Sequence, residues 1–279
     1  MRFTKMHGIG NDFVVLDAVT EELPAVDYSD LSQRVCERKF GVGADGLIVI
    51  LPSKIGDIGM RMFNPDGSEA EMCGNGVRCV ARYAHERRLT DGSTIRLETA
   101  AGIRTLKVNT KKGMIESVRV DMGRPILERA GIPMRGAETE RAIDEPLRVA
   151  GRRLKFTAVS MGNPHAVIFD AGTSPAIVEQ LGPPIEQHRL FPKRTNVQFV
   201  EIQSTSEAVL ATWERGAGAT LACGTGACAA LVAGVLTGRL GRRALLHLPG
   251  GDLEVEWAGD DRVWMTGPAV EVFVGEYPG

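Results

Sequence analysis

The chain has 279 residues, enough to bury a substantial core in one large domain or two of ordinary size. Hydrophobic residues make up 43% and charged residues 24%, the balance of ordinary globular proteins, which excludes a disordered chain. The formal net charge is −2 and acids are interspersed among the arginines, which excludes the basic field that nucleic acid or anionic lipid would need.

Read from the N-terminus, Met1-Arg2-Phe3-Thr4-Lys5-Met6-His7-Gly8 puts charge and glycine where a secretory signal would need an apolar stretch, so a cytoplasmic protein is expected. Gly10-Asn11 then precedes an apolar run, Phe13 to Leu16. The segment Gly41-Val42-Gly43-Ala44-Asp45-Gly46 matches G-x-G-x-x-G, but a dinucleotide fingerprint follows a strand and opens a helix. Here Glu37-Arg38-Lys39 precedes it and a strand, Leu47 to Leu51, follows, so it reads as a turn. Asn64-Pro65-Asp66-Gly67 is a second turn. After Cys73-Gly74-Asn75-Gly76, the residues Val77, Val80, Ala81 and Ala84 recur on one helical face. Two short strands follow, Ile95 to Leu97 and Arg104 to Val108, and Ile115 to Val120 alternates as a half-buried strand. Arg129 to Gly151 is rich in charge, Gly and Pro and reads as an irregular connection.

The second half repeats this order about 150 residues later, which marks a duplication rather than a repeat array. Gly162-Asn163 precedes Ala166 to Phe169. Glu214 lies nine positions before Cys223, as Asn64 does before Cys73. Cys223-Gly224-Thr225-Gly226 opens a helix with Cys228, Leu231, Val232 and Val235 on one face, stopped at Thr237-Gly238. Gly216 to Gly238 carries no charge, but its glycines break the run below the roughly 20 apolar residues of a membrane span. It reads as a central core helix. Leu245 to Leu248 and Leu253 to Trp257 follow as strands. Each half is therefore expected to be many short strands around one central helix.

Five cysteines, an odd number, argue for a reducing compartment and against a disulfide framework. Cys36, Cys79 and Cys228 read as small core hydrophobes. Cys73 and Cys223 differ because each stands before Gly-x-Gly at a helix start. Glycines there let a ligand approach closely. The unpaired N–H groups of the first turn favour negative charge and stabilise a thiolate. Two such thiols, one from each half, suit a ligand held between the halves, with one thiolate taking a proton from one face of a carbon and one thiol returning a proton to the other. The cysteine spacing lacks a zinc pattern with partner histidines, and no thioredoxin-like C-x-x-C is present, so no metal is expected.

The blocks Met6 to Phe13, Phe63 to Gly67, Glu71 to Arg78, Met161 to His165, Arg194 to Val197, and Trp213-Glu214-Arg215-Gly216 through Gly226 occur in order over nearly the whole chain. In them the chain resembles the diaminopimelate epimerase family. The resemblance implies a two-base isomerase, working without a cofactor, that interconverts LL- and meso-2,6-diaminopimelate for lysine and peptidoglycan synthesis. It implies an α/β fold of two similar domains, each a curved, mostly antiparallel sheet around a central helix. The first would span 1–118 with 269–279 and the second 119–268, with the active site in the cleft between them. It also implies a cytoplasmic homodimer.

Carried over by position, the resemblance makes Cys73 and Cys223 the acid–base pair. Backbone groups of Gly74-Asn75 and Gly224-Thr225 would hold the reacting carboxylate. Asn11, Asn64, Asn163, Asn196, Glu214 and Arg215 would contact substrate, with Gly46 offering only its backbone. His165 and Glu214 would support the thiols. The residues fit a doubly zwitterionic substrate: Arg215 can grip a carboxylate bidentately, and asparagines offer donors and acceptors without net charge. Two other readings remain open at this point. One is a proline racemase-like isomerase of the same fold. The other is a non-catalytic thiol switch joining Cys73 to Cys223.

Overall fold

The computed structural model describes residues 1–278. The chain divides into two compact units, Met1–Asp121 with the C-terminal stretch from Thr266, and Met122–Met265.

The first unit opens with the antiparallel pair β1 (Arg2–Gly8) and β2 (Asn11–Asp17), joined by a tight turn at Ile9-Gly10 with both residues at positive φ. Helix α1 (Tyr28–Cys36) follows, with the Asp27 side chain accepting the Ser29 N–H at its start. Strand β3 (Gly46–Leu51) pairs parallel to β2, and β4 (Ile58–Phe63) pairs antiparallel to β3. The short β5 (Glu69–Ala70) folds back on β4 through the Asn64–Gly67 turn and leads into α2 (Gly74–Glu86). Strand β6 (Thr94–Thr99) pairs parallel with β4, then β7 (Gly102–Lys111) and β8 (Met114–Gly123) continue as an antiparallel meander. The last strand, β18 (Val270–Glu276), returns to pair with β1.

The second unit repeats the pattern. Strands β9 (Glu145–Val149) and β10 (Arg152–Ser160) form a hairpin, and β11 (Pro164–Ile168) pairs antiparallel to β10. Helix α3 (Pro175–Glu186) precedes β12 (Asn196–Ser204), which runs parallel to β11. Then come β13 (Glu207–Glu214), β14 (Gly218–Thr220), α4 (Gly224–Leu236), β15 (Arg243–Leu248), β16 (Gly251–Trp257) and β17 (Val263–Gly267). The two parallel pairings recur: β2 with β3 and β4 with β6 in one unit, β11 with β12 and β13 with β15 in the other.

The central helices sit where their composition puts them. In α2 the apolar residues Val77, Val80, Ala81 and Ala84 are fully buried, against β1, β2, β7 and β18. Helix α4 is apolar all round and meets β10, β11, β12, β13, β15 and β16. Its run of Ala227, Cys228, Ala229 and Ala230 is fully buried, and such small side chains let strands approach on every side. It ends at Leu236, with Gly238 at φ +70° and the Arg239 N–H returning to the Gly234 carbonyl.

Two features depart from the simple expectation of strands around one helix. Each unit carries a second helix: α1 packs on β3 and β4, and α3 on β12, β13 and β14. Helix α3 includes Pro183-Pro184, which argue against a helix, yet Val178, Leu181 and Ile185 bury one face into the core of the second unit. Burial of that face outweighs the two lost backbone bonds. The connection at Arg129 to Gly151 also contains β9, hidden in the sequence because it is only five residues long and carries Pro146.

At the rim of the second unit, His247 bridges Asp252 and Glu207, each at 2.8 Å. Bonds to Asp252 and then Glu207 raise its pKa. The pairs are exposed, so their contribution is about 0.5 kcal/mol. A raised native pKa means that this stability is present below the unfolded value of about 6.5 and is lost as pH rises through the folded value. His247→Gln should therefore lower denaturant stability by about 0.5 kcal/mol at pH 5.5 and by much less at pH 9. An equal loss at both pH values would contradict the ion-pair assignment.

Candidate active site

In the first unit, Cys73 is the N-cap of α2, in extended backbone with the Cys73 carbonyl accepting the Val77 N–H at 2.9 Å. Its thiol lies 3.6 Å from Asn11 Oδ1 as a donor. The same Asn11 oxygen accepts from Asn75 Nδ2 at 3.0 Å, while Asn11 Nδ2 donates to Asp45 at 2.9 Å. Asp45 therefore sets which way the Asn11 amide faces: its carboxylate can accept only from the nitrogen, leaving the oxygen toward Cys73. Asp45 also accepts the Asp12 N–H at 3.1 Å and is paired with Arg38 at 2.6 Å. Burial pushes the Asp12 carboxyl upward, but bonds from Lys5, Arg38 and Asp45 hold it below its ordinary value. Beneath the helix start, the fully buried Arg78 guanidinium donates to the Gly74 carbonyl at 3.2 Å, to Asn75 Oδ1 at 2.9 Å and to the Pro268 carbonyl at 3.1 Å.

In the second unit, Cys223 is the N-cap of α4, and its sulfur accepts the Gly226 N–H at 3.3 Å and lies 3.6 Å from Thr225 Oγ1. The senses of these bonds differ between the thiols. The Cys73 bond to Asn11 exists only while Cys73 keeps its proton, whereas an N–H directed at Cys223 serves a thiolate as well. A Cβ on Gly226 would come within 2.6 Å of the Gln198 side-chain amide, so the third position of Cys-Gly-x-Gly admits only glycine without displacing Gln198.

Gln198 is fully buried and is not marked by its sequence context. It accepts from Thr212 at 2.7 Å and faces His165 Nδ1 at 3.1 Å through Nε2. With its oxygen occupied by Thr212, Gln198 donates to Nδ1. The proton of His165 then sits on Nε2, which meets Asn163 Oδ1 at 3.0 Å. Burial, with the Arg215 charge adding to it, pushes His165 down to about 3. His165 is thus a neutral donor that orients Asn163, not a proton carrier near neutrality.

The remaining expected residues divide by element. Asn64 closes the turn after β4, its Nδ2 donating to Ser68 at 2.9 Å. Glu214 ends β13 and accepts from Thr220 at 2.6 Å. Asn196 opens β12; its Oδ1 accepts the Arg215 N–H at 2.9 Å and its Nδ2 donates to the Pro164 carbonyl at 2.8 Å. Gly46 opens β3 opposite Phe13, as Asn196 opens β12 opposite His165, so the two occupy equivalent places in the duplication. Gly46 offers only backbone, and an added Cβ would lie 3.0 Å from the Phe63 carbonyl. Arg215 is exposed, with Nη1 on the Lys193 carbonyl at 3.1 Å. Cys36 and Cys79 are core residues whose thiols burial pushes up to about 12. Among the described residues, no group of three or more His, Cys, Asp or Glu side chains is placed to hold a metal ion, and no helix is long and apolar enough to cross a membrane.

The fold is shared with solved structures of distant sequence. A hydroxyproline epimerase of Agrobacterium vitis aligns with a TM-score of 0.71 and 16% identity, covering 99% of this chain and 91% of that one. A phenazine biosynthesis protein of the PhzF family from Bacillus anthracis aligns with a TM-score of 0.69 and 18% identity, covering 100% and 99%. At such identities the likeness shows the fold alone. Sequence narrows it further. The family model described as Diaminopimelate epimerase matches residues 3–128 and 157–272. A diaminopimelate epimerase of Moorella thermoacetica is 53% identical over 279 residues, 100% of this chain and 99% of the relative. That of Pelotomaculum thermopropionicum is 52% identical over 278 residues, with the same coverage. The chain belongs to the diaminopimelate epimerase family.

His165 gives this site a pH signature. Its native pKa of about 3 lies below the unfolded value of about 6.5, so the unfolded chain takes up a proton that the native state refuses. Stability should fall by up to about 1.4 kcal/mol per pH unit as pH drops from about 6.5 toward 3. Equilibrium denaturation of His165→Asn between pH 7 and 4.5 should show a shallower slope than the parent protein. An unchanged slope would mean that His165 is not buried in its neutral form.

Proposed function

We propose that the protein is a diaminopimelate epimerase in which Cys73 and Cys223 exchange the α-proton on opposite faces of one carbon. The single observation that carries this is the paired placement of the two thiols as N-caps of α2 and α4, each on Cys-Gly-x-Gly, within a chain half identical to named diaminopimelate epimerases along its whole length.

The chemistry follows from the residues. An amino-acid α-proton is weakly acidic, and its removal leaves negative charge that spreads onto the adjacent carboxylate. Backbone N–H groups in the first turns of α2 and α4, the ends where a helix favours negative charge, can serve that charge. Each helix end supplies about 0.3–1 kcal/mol, up to about 2 where partly buried, so exclusion of water from the closed site has to supply more. One cysteine works as thiolate base while the other, as thiol, delivers a proton from the far side. The reverse reaction exchanges the roles. No step needs an electron sink from a bound cofactor.

The distal amino-acid end is not altered and serves binding. Arg215 takes its carboxylate as a two-pronged partner. Asn64, Asn163 and Asn196, with Glu214, face its ammonium and carboxylate groups, and Asn11 stands beside Cys73. His165 supports this set through Asn163. We read the two halves, near 1–118 with 269–279 and 119–268, as each supplying one thiol to the reaction. The product supplies lysine and peptidoglycan synthesis in the cytoplasm, where the five thiols stay reduced. A homodimer is also part of this reading: Val272 and Phe273, at 55% and 47% exposed, put apolar surface on both faces of β18. Val272→Asp should then shift the mass measured by light scattering from dimer to monomer, and a monomeric parent protein would remove the dimer from the reading.

The test of function is α-proton exchange. Reduced protein incubated with LL-diaminopimelate in D₂O, without added cofactor, should incorporate deuterium at one α-carbon and form the meso isomer. Cys73→Ala and Cys223→Ala should each lower epimerisation by at least about 10²-fold, the scale of one acid–base group. Full activity in either variant would overturn the two-base assignment. Absence of exchange in the parent protein with its thiols free would overturn the substrate.

A further inference from the structure

Glu186 has no part in the acid–base chemistry, yet it is a 5% exposed carboxylate at the C-terminal end of α3 with both oxygens committed to the segment that carries Arg215. Its Oε1 accepts the Gly216 N–H at 3.1 Å, and its Oε2 accepts the Trp213 indole N–H at 2.8 Å. Arg194 lies 3.6 Å from Oε1 and keeps a counter-charge beside the pair. One turn earlier on α3, Gly182 lies against the Trp213 ring, where a Cβ would come within 2.5 Å of ring carbons. Gly182 and Glu186 thus form one face, spaced i to i+4, that makes room for the indole and binds its N–H.

The segment from Trp213 to Gly216 is therefore held at three points. Glu186 grips residues 213 and 216, and Asn196 Oδ1 grips the Arg215 N–H at 2.9 Å between them. Gly216 sits at φ +81°, and the Ala217 N–H closes the turn on the Glu214 carbonyl at 3.1 Å. A carboxylate suits this place because both donors need an acceptor. A glutamine there would turn its own NH₂ against one of them.

We infer that Glu186 is a positioning residue that fixes the Trp213–Gly216 turn and so aims Arg215 at the distal carboxylate of a dicarboxylic substrate. This rests on the epimerase reading for the identity of that substrate. It assigns Glu186 an effect on binding the non-reacting end rather than on proton transfer. A rigid base lowers the ordering cost of the long Arg215 side chain when the carboxylate arrives. Loss of such uniform binding raises KM and leaves kcat in place.

The experiment measures diaminopimelate binding by calorimetry and turnover by epimerisation in the parent protein, Glu186→Gln, Arg215→Ala, the double variant of these two, and Glu186→Gln with Trp213→Phe. Glu186→Gln should weaken binding and raise KM about tenfold, with kcat within about twofold. In the Arg215→Ala background the same change should have less than about a twofold effect, because the two residues act as one unit. Trp213→Phe removes one donor, lets the introduced glutamine turn its oxygen to Gly216, and should recover most of the lost affinity. A merely structural Glu186 predicts a lower melting temperature and lower kcat with KM unchanged, or equal losses with and without Arg215. Either pattern overturns the inference. A parent protein that binds diaminopimelate but does not epimerise it removes the epimerase reading and leaves Glu186 tested by binding alone. A parent protein that does not bind diaminopimelate overturns both.

Discussion

The two halves of this protein are each built around the first turn of a central helix. A helix start is the one place in a folded chain where several backbone N–H groups converge without intrahelical partners. To use them on a ligand, the chain has to bring the ligand onto backbone, which requires that no Cβ stand in the way. Glycine in a helix costs up to about 1 kcal/mol per residue relative to alanine. Both α2 and α4 carry glycine at their first and third positions. The cost is offset further along, where Val77, Val80, Leu231 and Val232 are fully buried. In both helices the buried body anchors a glycine-rich start.

The duplication supplies two such starts and then distinguishes them. Equivalent places hold Asn64 and Glu214, Asn75 and Thr225, Gly46 and Asn196. The scaffolds agree strand by strand, so these differences are not needed for folding. They make one half richer in side-chain donors and acceptors near a β-strand opening, and they let Arg215 follow Glu214 where Pro65 follows Asn64. A symmetric reaction coordinate needs two similar thiols. A substrate with one reacting and one static end needs unlike surroundings. The polar positions differ while the strand pairing stays common to both halves.

What is legible in the sequence follows from local physics. The Cys-Gly-x-Gly blocks, the apolar face of α2, the all-apolar α4 and its Gly238 stop are readable because each is a short-range pattern. Helix α3 is not, because Pro183-Pro184 contradict it locally and only packing of Val178, Leu181 and Ile185 against the core explains it. Strand β9 is hidden by Pro146 in the same way. The asparagines of the candidate site are approachable through family resemblance, but the residues that hold the site's side chains and turns in place are not. Gln198, Asp45 and Glu186 belong to stretches that look like an ordinary strand, a turn and a helix end. Each acts through a partner 30 or more positions away: Gln198 on His165, Asp45 on Asn11, Glu186 on Gly216. At Gln198 not even the neighbouring Val197 and Phe199 mark it, because a polar residue in an apolar strand is ordinarily one that faces solvent.

Those supporting residues share a logic that bears on proton transfer. Neutral groups stand at both thiols: Asn11, itself held by Asn75, at Cys73, and Thr225 and the Gly226 N–H at Cys223. His165, behind Asn163, is an imidazole that burial keeps uncharged. A cation bonded to a sulfur would favour its thiolate strongly. Neutral dipoles stabilise a thiolate when it forms yet leave the thiol accessible, which a reversible exchange between two faces requires. Strong charges stand one step back, where Asp45 with Arg38 and Glu186 with Arg194 fix the dipoles and the backbone turn. Charge here is used to hold geometry, and geometry is used to handle the proton.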